Sequence, residues 1–210
     1  MSGYLLKFKE QYSVKIGGRR YPVVKIGNQL WMAENLDWKF DVNGSQIPVG
    51  GDYSTTDPAA CYYDNDESTY GIDGQYKCGL MYNWYAAKYL DDNKSTLLPS
   101  GWRVPTNTDW NGVMTSLGST DGSEVKAVDS SVLQGFPTGW NGTNSSGMGV
   151  IPAGYYTSVF RNLNTSTDFW TSTEYNSRYA YCAYFSDTSF DTPWNDKHRG
   201  YYVRLVRTLT

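Results

Sequence analysis

The sequence predicts a single α+β domain of many short strands, few helices and long irregular loops. Three observations carry that prediction. Residues 21–26 and 201–209 alternate apolar and polar side chains at the period of a half-buried strand. One segment, 106–118, has helical spacing between recognisable start and stop signals. The stretches 41–76 and from 135 onward are rich in Gly, Asn, Ser, Thr and Asp and show little periodicity. A chain of 210 residues is long enough to bury a substantial core, and no repeat or linker divides it.

In chain order, residues 1–20 read as an N-terminal arm or strand, and 21–210 as the domain. "YPVVKIGNQLWMAENL" (21–36) turns at Gly27-Asn28, the strongest hairpin signal in the chain. "CGLMYNWYAAKYL" (78–90) is a buried strand or a short helix, and periodicity does not choose between them. In "GWRVPTNTDWNGVMTSLG" (101–118), Pro105 ends a strand and Thr106 with Asp109 resembles a capping box. Trp110, Val113, Met114 and Leu117 follow on one helical face, read as core, and Gly118 stops the helix. Segment 123–134 reads as a second, weaker helix, and "GMGVIPAGYY" as strand and turn. "YYVRLVRTL" (201–209) reads as the final strand, with Arg204 and Arg207 on its solvent face.

Composition narrows the function. A net charge of −3 argues against nucleic acid or an anionic membrane as the main partner. Charged residues make up 19% and aromatics 16%, with 19 Tyr and 8 Trp, a balance suited to a ring-packed fold or a recognition surface. The N-terminus lacks an apolar region with a small-residue cleavage site, so no signal peptide is expected, and no run is long enough for membrane insertion. Cys61, Cys78 and Cys182 are odd in number and lack CxxC spacing. They read as buried free thiols, with a Cys61–Cys78 pair as the alternative. His198 is the only histidine, which leaves no material for a His-rich zinc site or an HExxH site.

Several signposts occur in one order: "IGNQLWMAENL", "GLMYNWYAA", "GWRVPTNTDW", "GVIPAGYY", "DFWTSTEYNSRYAYCAYF" and "GYYVRLVR". Over residues 21–207 the chain resembles the Fibrobacter succinogenes major paralogous domain family. That resemblance implies a C-type lectin-like fold, similar to formylglycine-generating enzymes, in which terminal strands pair and long loops present a ligand-binding face.

The segment "YNSRYAYCAYFSDTSFDTPWND" (175–196) has neither clean apolar alternation nor a charge run. It resembles the variable region, here about 170–207, of proteins diversified by retroelements in bacteria, phages and prophages. In such proteins adenine mutation scatters Asn codons into Tyr, Ser, Asp, His, Arg, Phe and Cys. The candidate ligand-binding residues are Tyr175, Asn176, Arg178, Tyr179, Tyr181, Tyr184, Asp187, Asp191, Trp194, Asn195, Asp196 and His198. Arg178 and the rings are the expected energetic anchors, the short polar residues the adaptable contacts. Parity in "AYCAYF" points Ala183 and Phe185 inward and Cys182 and Tyr184 outward. Phe169, Trp170 and Phe190 read as core.

Two other chemistries are weighed. Calcium-dependent lectins place a Trp-Asn-Asp before the last strand, as at 194–196, but no Glu-Pro-Asn or Gln-Pro-Asp partner motif precedes it, so no metal and no cofactor is expected. Formylglycine-generating relatives use reactive cysteines late in the chain, where this one has only Cys182 without a basic neighbour. "DNDE" (64–67) reads as a solvated turn. The expectation is a non-enzymatic binder of a cell-surface protein or glycan receptor, with the N-terminus serving homo-oligomer contacts or attachment to a larger assembly. Its expected location is a phage virion tail or a bacterial cell surface. The alternatives are an undiversified structural domain and a calcium-dependent glycan lectin.

Overall fold

The turn at Gly27-Asn28 folds as its sequence demands. Strand β2 (Arg19–Ile26) returns through it as β3 (Gln29–Met32), with Ile26 opposite Gln29 and Val23 opposite Met32. Gly27 takes φ 58°, in the left-handed region that favours glycine. The computed structural model describes residues 13–50, 53–128 and 139–209. Within it β1 (Ser13–Ile16) pairs with β2, so this part of the N-terminal segment is a strand, while residues 1–12 lie outside the described residues. On the far side of β3 lies β15 (Val206–Thr208), followed by β8 (Trp102–Arg103). The order β1-β2-β3-β15-β8 makes a five-stranded antiparallel sheet.

A second sheet carries β9 (Ala153–Tyr156), β10 (Phe160–Leu163), β11 (Ser166–Glu174), β12 (Tyr179–Ser186), β13 (Phe190–Asp191) and β14 (Trp194–Asp196). Its order is β10-β9-β11-β12-β13, with β14 also paired to β12. Only β9 and β11 run parallel. A small hairpin, β4 (Asp41–Val42) with β5 (Ser45–Gln46), and a two-stranded pair, β6 (Ala60–Cys61) with β7 (Met81–Tyr82), lie within or beside the stretch expected to be loop. Helix α1 (Glu67–Tyr70) and α3 (Lys94–Leu97) are single turns, while α2 (Trp84–Asp92) and α4 (Asn107–Leu117) are longer.

The α+β, C-type lectin-like expectation is therefore overturned. Curled β-sheets dominate, and among the described residues only α2 and α4 exceed one turn. Gly, Asn, Ser and Thr between the strands bond to the nearby backbone and favour turns over helix, while the Tyr, Trp and Val content suits pleated strands. Segment 123–128 forms turns and isolated bridges to Val150 and Asn141, and 129–134 lies outside the described residues. Segment 78–90 resolves into both alternatives, β7 followed by α2, with Asn83 capping the helix by accepting the N–H of Ala86 at 2.9 Å.

Helix α4 follows expectation. Thr106 accepts the Asp109 N–H at 3.2 Å, Asp109 accepts that of Thr106 at 2.6 Å, and Gly118 closes the helix at φ 65°. Trp110, Val113 and Met114 are buried, and Trp110 packs 4.7 Å from Trp31.

The C-terminal segment corrects the reading of its alternation. Gly200, Tyr201 and Tyr202 bridge Tyr156, Tyr82 and Phe169, and every residue from Tyr201 to Val206 is buried. Period two survives, but it sorts side chains between two cores. Tyr201, Val203 and Leu205 join Tyr21, Tyr82 and Trp170, whereas Tyr202 and Val206 join Trp31, Trp110, Phe169 and Phe185. Arg204, expected at the solvent face, is buried 5.4 Å from the Phe169 ring, and Arg207 is exposed as expected. Cys182, expected outward, is also fully buried, because both faces of β12 are covered at that point. All three cysteines are free and buried.

Candidate functional site

The segment 175–198 is built on β12 and its edge partner β14. At the β11–β12 turn, Asn176 Oδ1 accepts the backbone N–H groups of Arg178 and Tyr179, each at 2.9 Å, a side-chain mimic of a backbone turn. The β11–β12 register shifts between Trp170 and Glu174. Such bulges bend a strand and re-aim its side chains. Across the next ladder Tyr179 faces Asp196, Ala180 faces Asn195 and Tyr181 faces Trp194. Directly opposed residues share a sheet face, so Tyr179, Tyr181, Trp194 and Asp196 come together.

Three ring contacts tie this face into one surface. Tyr175 and Trp194 stack with centroids 5.0 Å apart, Tyr179 lies 4.8 Å from Trp194, and Tyr181 meets Tyr175 edge-on at 5.6 Å. Tyr175 is 47% exposed and Trp194 46%. Helix α4 covers the same sheet face further along β12, where Trp110 contacts Phe185 at 5.7 Å. Face-sharing residues are thus core at one end of the strand and open at the other.

Charge is arranged at the rim. Arg178 Nε donates to Asp196 Oδ2 at 2.8 Å, and its guanidinium lies 5.3 Å from the Tyr179 ring centre. His198 Nδ1 lies 2.8 Å from the other Asp196 oxygen, and its ring meets Tyr85 edge-on at 5.5 Å. Burial alone would raise the Asp196 pKa, but the hydrogen bonds from Arg178 and His198 outweigh it and hold the carboxyl at about 2.

Beneath this layer Lys197 is buried. It bonds Glu174, donates to the Ser177 carbonyl at 3.0 Å and lies 4.4 Å from the Trp84 ring centre. Sequence reasoning missed Lys197, Glu174 and Tyr85. The parity of "WNDK" marks Lys197 as opposite in face to Asp196, but nothing local marks Tyr85, which arrives from α2.

Of the twelve candidates, six are exposed and six half-buried. Tyr175, Asn176, Arg178, Tyr179, Tyr181, Trp194, Asp196 and His198 form the turn and the connected face just described. Four others lie elsewhere. Asn195 turns to the opposite face and donates to Cys182 Sγ at 3.3 Å. Tyr184 pairs across from Asp191 and Asp168, also on that reverse face. Asp187 sits in the β12–β13 turn, where its carbonyl accepts Lys126 Nζ at 3.0 Å. Asn195 and Asp196 therefore point away from each other, and both Asp196 oxygens already carry partners. On the reverse face Asp168 is fully enclosed beside Cys182 Sγ at 3.8 Å; burial raises its carboxyl to about 7 and pushes the Cys182 thiol well above its ordinary value. In "DNDE", Asp66 caps α1 by accepting the Thr69 N–H at 3.1 Å, and Asp64, Asn65 and Glu67 are exposed.

The family model of the Fibrobacter succinogenes major domain matches residues 24–207. The chain belongs to that family. No curated protein matches the chain. The matched span of the Fibrobacter succinogenes major domain runs from the end of β2 through the first residues of β15 and contains the whole aromatic face.

Proposed function

We propose that this chain is a non-enzymatic receptor-binding protein whose contact surface is the aromatic face of β12, β14 and their turns. Tyr175, Tyr179, Tyr181 and Trp194 supply rigid area, while Arg178, Asn176, Asp196 and His198 supply hydrogen bonds and charge. The observation that carries this reading is the exposed ring stack of Tyr175 on Trp194, continuous with Tyr179 and Tyr181. Apolar rings left in contact with water on an edge strand are a feature of interaction surfaces.

The same architecture supports diversification by a retroelement. Backbone pairing, the buried Lys197 and Trp170 hold the strands, so the outward side chains can vary without disturbing the core. The partner in this reading is a cell-surface protein or glycan, and the protein is displayed on a phage or prophage tail or on a bacterial cell surface. Catalysis gains no support from the site. The Cys182 thiol is buried with its pKa raised, and among the described residues no Ser, Thr or Cys side chain hydrogen-bonds the His198 ring. The divergence of Asn195 from Asp196 also counts against a calcium-dependent lectin.

Sequencing the gene and its flanks across the source population tests diversification. Substitutions concentrated at adenines of the face codons, beside a near-copy of the 3′ end and a reverse transcriptase gene, support it. A uniform 3′ end without those neighbours leaves an undiversified domain. Binding itself is tested by labelling the chain and measuring capture on intact cells of that population. Tyr179→Ala and Trp194→Ala should abolish capture with melting temperature preserved, and undiminished capture by both would sink the proposal.

A further inference from the structure

A second site lies away from the aromatic face, around Arg204. This side chain is 1% exposed. Nε donates to Asn35 Oδ1 at 2.7 Å, Nη1 to the Met148 carbonyl at 2.5 Å and Nη2 to the Gly149 carbonyl at 3.1 Å. All three acceptors are neutral. A guanidinium has five N–H groups, so two donors remain beyond these contacts. Burial drives the Arg204 pKa down to about 9, an effect that the charge of Glu34 offsets only in part.

Arg204 lines a cavity of about 180 Å³, together with Ala33, Glu34, Asn35, Ile72, Lys77, Gly149 and Ile151. The cavity holds both signs of charge without joining them. Glu34 forms no ion pair with Arg204 or Lys77 among the described residues; its nearest cation is Arg19, at 3.7 Å. That contact is made by Glu34 Oε2, an oxygen shielded from solvent on a partly exposed side chain, which receives no hydrogen bond among the described residues. Lys77 is held at φ 48°, a left-handed conformation that a lysine adopts only under constraint. Ala33, Ile72 and Ile151 supply methyl and methylene wall between the charged groups.

We propose that this cavity binds a small α-amino acid as its zwitterion. The ligand carboxylate meets the remaining Arg204 donors with Lys77 beside it, the ammonium donates to Glu34 Oε2, and a short side chain rests on Ala33, Ile72 and Ile151. A planar fork of donors suits a carboxylate, and a carboxylate oxygen that receives no hydrogen bond suits an ammonium. The volume is below the roughly 300–1,000 Å³ of pockets for drug-sized ligands, which limits the occupant to a small molecule. None of the lining residues belongs to 175–198, so the assignment does not depend on the receptor-binding reading.

The test is a titration of the ¹⁵N-labelled full chain with glycine, L-alanine and L-serine, with sodium acetate, methylammonium chloride and inorganic phosphate as single-charge probes. Saturable shifts at amides 33–35, 72, 77 and 149–151 are expected for the amino acids. Acetate, methylammonium and phosphate should each bind at least about tenfold more weakly than L-alanine. Glu34→Gln should weaken L-alanine at least about tenfold while leaving acetate binding undiminished. Lys77→Ala, at an exposed position, gives a second variant that does not threaten the fold, unlike any change at Arg204. Shifts absent with all three amino acids, or acetate or phosphate binding as tightly as L-alanine with no effect of Glu34→Gln, would overturn the assignment.

Discussion

Tyr175 and Trp194 come from near opposite ends of the segment 175–196 and stack with ring planes only 5° apart. Both rings are about half in water, so neither Tyr175→Ala nor Trp194→Ala should cost more than about 1 kcal/mol of stability in urea unfolding. A double-mutant cycle should return a coupling of roughly 0.5–1 kcal/mol, at the lower end of the range for aromatic pairs. A loss of several kcal/mol from either single change would place that ring in the core.

Arg204 stitches the C-terminal segment to Asn35 and to the Met148–Gly149 loop. Arg204→Met leaves those buried acceptors without donors, at about 1–3 kcal/mol each. The expected loss is at least about 3 kcal/mol, or roughly 6–12 °C in Tm for a chain of this size, read by calorimetry.

Asp168 gives a pH signature of definite sign. Its carboxyl is raised to about 7 when folded, against an ordinary 3.8. Below pH 4 both states are protonated and the group costs nothing. As pH rises from 4 to 7 the unfolded state ionises first, so stability declines and then levels off. Asp168→Asn should therefore stabilise the protein at pH 8 by up to a few kcal/mol and leave it nearly unchanged at pH 4. An equal effect at both pH values would mean that Asp168 is ionised in the fold.

The acid limb has the opposite sign at Asp196. With its folded pKa held at about 2, its ion pairs stabilise the protein fully above about pH 4, and that contribution is lost as pH falls toward 2. In carboxyl-detected NMR the Asp196 midpoint should rise toward the ordinary range in Arg178→Gln. A midpoint that stays at about 2 would show that Arg178 is not what holds it.

Thr106→Ala removes the acceptor that caps α4 and should cost about 1 kcal/mol in chemical denaturation. Thr106→Ser retains the hydroxyl and should recover most of that loss. Equal destabilisation by both variants would assign the effect to the lost methyl group.

What was legible in the sequence has a common cause. The hairpin at Gly27-Asn28, the capping box of Thr106 and Asp109, and the core face of Trp110, Val113 and Met114 are set by residues within a few positions of one another. Turn dihedrals, caps and helical spacing are local physics, readable from neighbouring residues. The sequence also sets the composition of the aromatic segment, and with it the residues available for contact. Which faces are covered depends instead on long-range packing. The alternation in 201–206 reads as one wet and one dry side, yet both sides are core, because the segment runs between two sheets. For the same reason Arg204 and Cys182 are buried. Parity in 179–196 left the exposed face undefined until α4 covered one end of β12 and left Tyr179 and Tyr181 open at the other. Burial depends on what packs against a strand from distant parts of the chain, and period two specifies only that neighbours point apart.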